Sequence, residues 1–479
     1  MTVKIIGGGL AGPEAAWQCA RRGVAVELFE MRPARRTPAH ETGDFAELVC
    51  SNSLKSDSEN SAPWLLKEEM RRAGSLLMEL ARQTAVPAGH ALAVDRLAFA
   101  RAATEAIERE PLITVHREEV TAIEEDSAIT IVASGPLTSD ALAREIERLA
   151  AAETTAGGGA ARLFFYDSIS PIVEADSIDE EKVYRAARYD KGSADYINCP
   201  MNEEEYNRFL DGLIAAQTVD APEWETVGGP GTTPTDAKTA SVGGPELNYF
   251  EGCLPIEEIA RRGRDTLRFG PMKPVGLRDP RSGKMPYAVV QLRQENLRAD
   301  SYNLVGFQNH LRFGEQARVL RLIPGLENAR FLRYGQIHRN TYINAPALLL
   351  PTLQMKRHPR VLFAGQISGV EGYVESMATG QLAGIAAAAL AAGQQPVAAP
   401  RPTAMGSLVH YICHAEARNF QPANITFDLL EPLDEATRRK IRDKKLRHQM
   451  VCERALAALE EWMAEIQPLA VAPYGRPKN

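Results

Sequence analysis

A strand, a glycine-rich turn and a helix open the chain, and no other feature constrains its fold as much. Val3-Lys4-Ile5-Ile6 reads as a short buried strand, Gly7-Gly8-Gly9-Leu10-Ala11-Gly12 fits G-x-G-x-x-G, and the alanine-rich stretch Pro13–Arg22 reads as a helix. The spacing has a physical basis. Gly7 permits the tight turn, Gly9 lets the backbone approach a pyrophosphate, and Gly12 lets the helix pack close. The free N–H groups and positive end of the helix then face that anion. A second strand, Val24–Phe29, leads into Glu30, placed where a carboxylate can accept hydrogen bonds from ribose hydroxyls.

A second glycine-rich segment, Phe363-Ala-Gly-Gln-Ile-Ser-Gly-Val-Glu-Gly372, follows a short strand Arg360–Phe363 and precedes a helix expected from about Glu375 to Leu390. An enzyme that binds only NAD has no need of such a distant segment, whereas FAD enzymes of this architecture cover the flavin ring with one. Gly365, Gln366, Gly372, Tyr373, Glu375 and Ser376 are therefore candidate FAD contacts. A helix beginning there aims its positive end at the pyrimidine side of the isoalloxazine. The competing reading is a packing turn before an ordinary helix. The expected fold is α/β, with a Rossmann-like FAD-binding domain built from both ends of the chain. Residues 1–174 and 331–466 form that domain and a helical C-terminal extension, 175–330 an inserted α/β domain, and 467–479 a disordered tail.

At 479 residues, 44% hydrophobic and 24% charged, the composition is that of a globular protein of two or three units. The six cysteines, Cys19, Cys50, Cys199, Cys253, Cys413 and Cys452, include no C-x-x-C pair and no zinc-type spacing, so neither a disulfide framework nor a metal site is expected. Structure begins at Val3 with no room for a signal peptide, and the most lipid-like run, Ala383–Ala392, is too short to span a bilayer. The expected location is the cytoplasm, with no membrane partner. The net charge of -7 argues against a polyanionic partner, but residues 256–340 carry 16 Lys and Arg against 8 Asp and Glu. That excess includes Arg261, Arg262, Arg264, Lys273, Arg278, Arg281 and Lys284. Arg438–His448 is a second basic run, read as one helix with charges around its axis.

Glu30-Met-Arg-Pro33, Thr37-Pro-Ala-His40 and Phe45-Ala-Glu-Leu-Val-Cys-Ser-Asn-Ser53 together resemble the folate- and FAD-dependent tRNA (uracil-5-)-methyltransferases of the TrmFO family. Tyr189–Gly192, Asn198–Met201, Tyr249–Pro255, Leu267–Pro274 and Gly365–Gly380 extend the similarity in family order over most of the chain. The resemblance implies methylation of carbon 5 of the T-loop uridine in the T-arm of tRNA. FAD is the implied cofactor, methylenetetrahydrofolate the carbon donor and NAD(P)H the reductant. Carbon 5 of uracil is a poor nucleophile until a thiolate adds at carbon 6, so the reaction needs a cysteine. Spacing alone does not choose among the six. The resemblance points to Cys253 as the nucleophile and Cys50 as a second active-site thiol. It also makes His338, Arg339 and Tyr342 candidates for a folate cleft. Two alternatives stand beside this reading: a flavoprotein of the MnmG type acting on the wobble uridine, and an RNA-binding protein whose flavin is structural.

Overall fold

Strand β1 (Val3–Ile6) lies at the centre of a five-stranded parallel sheet, which is why Val3, Ile5 and Ile6 are all buried and only Lys4 reaches toward solvent. In order, the sheet runs Val361–Phe363, Ile129–Val132, β1, β2 (Val26–Phe29) and Ile113–His116, every pair parallel. Four strands come from the first 132 residues and the edge strand from the far end, so both ends build one sheet. The structure is a computed structural model that describes residues 1–125, 128–151, 162–190, 193–219 and 254–466. At 151, 162–168, 190 and 337–339 it describes the backbone alone.

Helix α1 (Ala11–Ala20) begins inside the glycine motif, two residues earlier than the alanine run suggests. Helix α2 (Arg96–Arg109) starts under an Asp95 cap, whose carboxylate accepts the N–H of Ala98 at 3.0 Å. Helix α3 (Tyr373–Ala391) has no solvent-facing polar stripe because it is buried against α1, β1 and the helix Ala62–Arg72. Small residues make the α1–α3 contact possible. A Cβ on Gly380 would stand 2.4 Å from the carbonyl oxygen of Ala11, and one on Gly384 2.5 Å from that of Ala15. Only glycine lets the two backbones approach so closely.

The intervening chain forms a second, six-stranded antiparallel sheet. Its order is Tyr184–Arg185, Ile197–Met201, Ala288–Gln294, Ser301–Leu304, Ile172–Glu174, Phe331–Arg333. It has its own core, in which Phe209, Phe307, Leu292 and Tyr302 are buried. The helix Glu203–Ile214 covers that core and starts in a capping box between Asn202 and Glu205. Antiparallel strands Arg162–Ser168 and Ile337–Ile343 run between the two sheets' chain segments. Helix α4 (Ala404–His414) and helix Lys444–Ile466 return to the first core, where Leu408, Leu459 and Trp462 are buried. No helix among the described residues is long and apolar enough to cross a membrane.

The run Arg438–His448 is not one helix. A short helix ends at Lys440 and another starts at Lys444, because Asp443 turns to cap the second, accepting the N–H of Lys445 at 2.7 Å.

Candidate active site at the glycine turns and the Cys50 loop

The first glycine turn is closed on one side and open on the other. A Cβ on Gly12 would lie 1.8 Å from the carbonyl oxygen of Gly7, whereas one on Gly9 would meet nothing within 4 Å. The open side therefore offers bare backbone to a ligand. Glu30 is buried behind the turn. One of its oxygens accepts the N–H of Gly8 at 2.8 Å and the other the backbone N–H and Nε of Arg32, each at 2.9 Å. Burial alone would raise its pKa, but Arg32 and the Gly8 N–H outweigh burial and hold the carboxyl below its usual value. Arg32 reaches on to Glu47 at 3.0 Å. Protein donors thus occupy the lone pairs that the sequence reading reserves for ribose, and a hydroxyl has to share or displace one of them.

At the second segment, Gly365, Gly369 and Gly372 all have positive φ, and helix α3 starts at Tyr373 rather than Glu375. Gln366 donates to the Glu371 carboxylate at 2.6 Å. Ser376, in the first turn of α3, is buried. Glu375 is fully buried, with one oxygen accepting from Lys55 Nζ at 2.6 Å and from the N–H of Ile425 at 3.0 Å. Its other oxygen, Oε2, is buried with no hydrogen-bond partner among the described residues. A Cβ on Gly372 would stand 2.4 Å from that atom. Lys55 also donates to Asn424 at 2.5 Å and takes a positive φ of 63°, a strained conformation for a residue with a side chain.

Between the two segments lies the loop carrying Cys50. The Tyr373 hydroxyl accepts the N–H of Cys50 at 2.7 Å and of Ser51 at 3.1 Å. From the second sheet, Arg293 donates to Asn52 at 2.8 Å and to Ser51 Oγ at 2.6 Å. Asn52, itself fully buried, donates to the carbonyls of Val94 at 3.0 Å and Gln294 at 2.8 Å. Arg96 donates to the Leu48 carbonyl at 3.0 Å and pairs with Glu295 at 2.8 Å. The backbone of the Cys50 loop is thus tied both to α3 and to the second sheet. Asn52 lies inside the motif string that singles out Cys50, whereas nothing in the sequence marks Arg96, Arg293 and Glu295, which converge from distant segments.

Other expected site residues fare differently. Cys253 and the tail 467–479 lie outside the described residues. Backbones at His338 and Arg339 pair with Asp167 and Tyr166, and their side chains are not described. Tyr342 is buried in the first core, its ring edge-on to Phe420 at 5.9 Å. Cys19, Cys413 and Cys452 are buried, and burial pushes each thiol up to about 12. Of the basic surface, Arg264 is paired with Asp211 at 2.8 Å, Arg281 with Asp279 at 2.7 Å, and Arg261 with Glu258. Lys273, Arg278 and Lys284 are exposed.

Two glycine turns at the parallel sheet, one with an open backbone face and one with an orphaned buried oxygen at a helix start, suit an extended dinucleotide such as FAD. Fold and site together define a dinucleotide-binding protein of the Rossmann class that carries a cysteine loop beside its second glycine segment. A model of the family described as "Glucose inhibited division protein A" matches residues 2–395. The methylenetetrahydrofolate–tRNA-(uracil-5-)-methyltransferase TrmFO of Koribacter versatilis is 70% identical over 467 residues, 98% of this chain and 99% of that protein. The enzyme of the same name from Solibacter usitatus is 61% identical, over 96% of this chain and 98% of its own length. The solved structure of Aquifex aeolicus GidA in its form II crystal has a TM-score of 0.67 at 16% identity, over 98% of this chain and 74% of that one, a likeness of fold. This chain belongs to the TrmFO family, within the wider family of glucose inhibited division protein A.

Proposed function

We propose that this protein methylates carbon 5 of the T-loop uridine of tRNA in the cytoplasm, with methylenetetrahydrofolate as carbon donor, FAD as cofactor and NAD(P)H as reductant. The observation that carries this reading is the 70% identity, over 98% of the chain, with a relative whose name states that activity. FAD, bound along the two glycine segments, supplies the two-electron reduction that turns a methylene group into methyl. Gly7, Gly8, Gly9 and Gly12 present backbone N–H groups to its pyrophosphate, and Glu30 with Arg32 keeps that turn in shape. Gly365, Gln366, Gly372, Tyr373, Glu375 and Ser376 line the flavin end, where the positive pole of α3 favours negative charge.

The thiolate of Cys253 adds to carbon 6 of uracil, which makes carbon 5 nucleophilic, and leaves again when the proton on carbon 5 has been removed. Cys50, fixed by Tyr373, is the group we assign to that proton. His338 and Arg339 serve the folate, as pterin and glutamate contacts, and Tyr342 is the third residue we assign to it.

Purified protein given tRNA, methylenetetrahydrofolate and NADPH is expected to form 5-methyluridine, read by mass spectrometry of the digested RNA. Absence of that nucleoside in an FAD-loaded preparation overturns the assignment, and a modified wobble uridine transfers it to the MnmG-type activity. T-arm RNA containing 5-fluorouridine is expected to become covalently attached to the wild type and not to Cys253→Ser.

A further inference from the structure

Three stretches of the family resemblance that the catalytic reading leaves without a role, Tyr189–Gly192, Asn198–Met201 and Leu267–Pro274, meet in the inserted domain through Tyr189, Asn198 and Lys273. Arg188 is the clasp. Its guanidinium donates to the carbonyls of Lys273 at 2.9 Å and Val275 at 2.6 Å and to the side chain of Gln291 at 2.7 Å. The N–H of Tyr189 donates to the Gly276 carbonyl at 2.6 Å. Gln291 donates in turn to the fully buried Asn198 at 2.9 Å.

This clasp presents apolar side chains to water. Tyr189 is 56% exposed, Phe269 79% and Val275 42%. Tyr189 takes the left-handed conformation, φ 60° and ψ 25°, which a residue with a side chain adopts only at a cost. Its ring lies against Gly276, where a Cβ would stand 2.9 Å from both Cε1 and Cε2. Core packing does not explain a strained residue that stays more than half exposed. Phe269 ends the one-turn helix Thr266–Phe269, and the next turn closes where the N–H of Lys273 donates to the Gly270 carbonyl at 3.2 Å. No acidic residue occurs from Thr266 to Arg278. Arg268 pairs with Asp265 at 2.8 Å, whereas the exposed Lys273 and Arg278 pair with no carboxylate among the described residues.

The surface adjoins the Cys50 loop. Gln291 and Arg293 are alternate residues of the strand Ala288–Gln294, so their side chains leave one face about 7 Å apart. Arg293 reaches Ser51 and Asn52, and Gln291 holds Arg188. Exposed rings and free cations thus stand one step along a strand from the residue that ties down the thiol loop.

We infer that this surface is a platform for unpaired RNA: Tyr189 and Phe269 stack on bases that flank the target uridine, and Lys273 and Arg278 contact the phosphates between them. Every base has a flat π face and every linkage a negative charge, so aromatic rings interleaved with unpaired cations suit a single strand. A uridine drawn out of its loop leaves its neighbours unstacked, and the two rings replace the stacking they lose. The inference rests on RNA being the substrate, but its readout is binding, so it and the methylation can fail separately.

The test is fluorescence anisotropy of a labelled T-arm hairpin RNA titrated with full-length, FAD-loaded protein. Phe269→Ala and Tyr189→Ala should each weaken binding about tenfold, and Phe269→Trp should retain it. Lys273→Gln should lower the slope of log affinity against log salt by about one. A fully paired RNA duplex of the same length hides its base faces and should bind wild type and Phe269→Ala alike. Phe269 is exposed, so its substitution leaves the fold and the bound flavin intact, and it decides the matter should Tyr189→Ala fail to fold. Hairpin affinity unchanged in Phe269→Ala overturns the platform, as does an equal loss on the duplex or a wild type that binds no hairpin. If 5-methyluridine forms while every variant binds like wild type, the platform falls and the reaction stands. If none forms while the variants still lose the hairpin, the reaction falls and the platform stands.

Discussion

The Tyr373 hydroxyl accepts the backbone N–H of Cys50 at 2.7 Å, joining residues 323 positions apart in the chain. Tyr373 is the first residue of α3, the helix that follows the second glycine segment. The flavin end of the proposed FAD site and the thiol loop therefore share one anchor. Tyr373→Phe removes the acceptor for two N–H groups, those of Cys50 and Ser51. The expected cost is about 1–3 kcal/mol in urea unfolding, with faster proteolysis around residue 50. Unchanged unfolding and proteolysis would show that the loop is held elsewhere.

Lys55 neutralises a carboxylate that is wholly buried, although its own side chain is 31% exposed. Lys55→Met removes the cation from the buried Glu375 carboxyl at the start of α3 and leaves it the N–H of Ile425. Because water reaches the lysine, the loss should fall between the surface and interior cases, about 2 kcal/mol by denaturant titration. Lys55→Met/Glu375→Gln should recover much of it, and a double variant no more stable than the single one would contradict the pairing.

The α1–α3 contact tolerates no added atoms at its centre. Gly384→Val would push carbon into the Ala15 carbonyl, 2.5 Å from the first atom of any side chain there. The expected result is a loss of several kcal/mol, read as a lowered thermal midpoint together with loss of bound FAD, since α1 and α3 carry the two glycine turns. A variant that keeps the wild-type midpoint would show that the helices can separate.

Glu69 gives stability a pH dependence. Its carboxylate oxygens accept the N–H groups of Ala404 and Met405, the first residues of α4, at 2.6 and 2.9 Å. Burial raises its pKa to about 8, the two N–H groups opposing the shift only partly. The folded state therefore holds the proton more tightly than the unfolded chain. Stability from this group is complete below the unfolded value near 4.5 and is lost as pH rises through about 8. Between those values the slope should approach about 1.4 kcal/mol per pH unit. Glu69→Gln should flatten the thermal midpoint across that range, whereas an equally steep profile in the variant would assign the dependence to another group.

The dinucleotide-binding element is legible in the sequence because its requirements are local. A strand, three spaced glycines and a helix lie within some twenty residues, and Gly12 answers a contact made inside the turn itself, with the carbonyl of Gly7. Helix starts are less well resolved. Tyr373 reads as a turn residue, yet it begins α3, because the positive φ of Gly372 sets the chain on course one residue before it. The basic run Arg438–His448 reads as one helix because lysine and arginine are good helix formers, but the Asp443 cap divides it.

Family resemblance picks out Cys50, but its surroundings are not readable along the chain. Arg96, Arg293, Glu295, Arg333 and Tyr373 come from four separate stretches, and no periodicity connects them. By itself the sequence determined the two glycine turns and the burial of β1, since each follows from backbone geometry and residue size over a short span. Only the tertiary structure decided which cations stand beside the Cys50 loop and which of them have carboxylate partners, because electrostatic balance depends on distance in space and access to water.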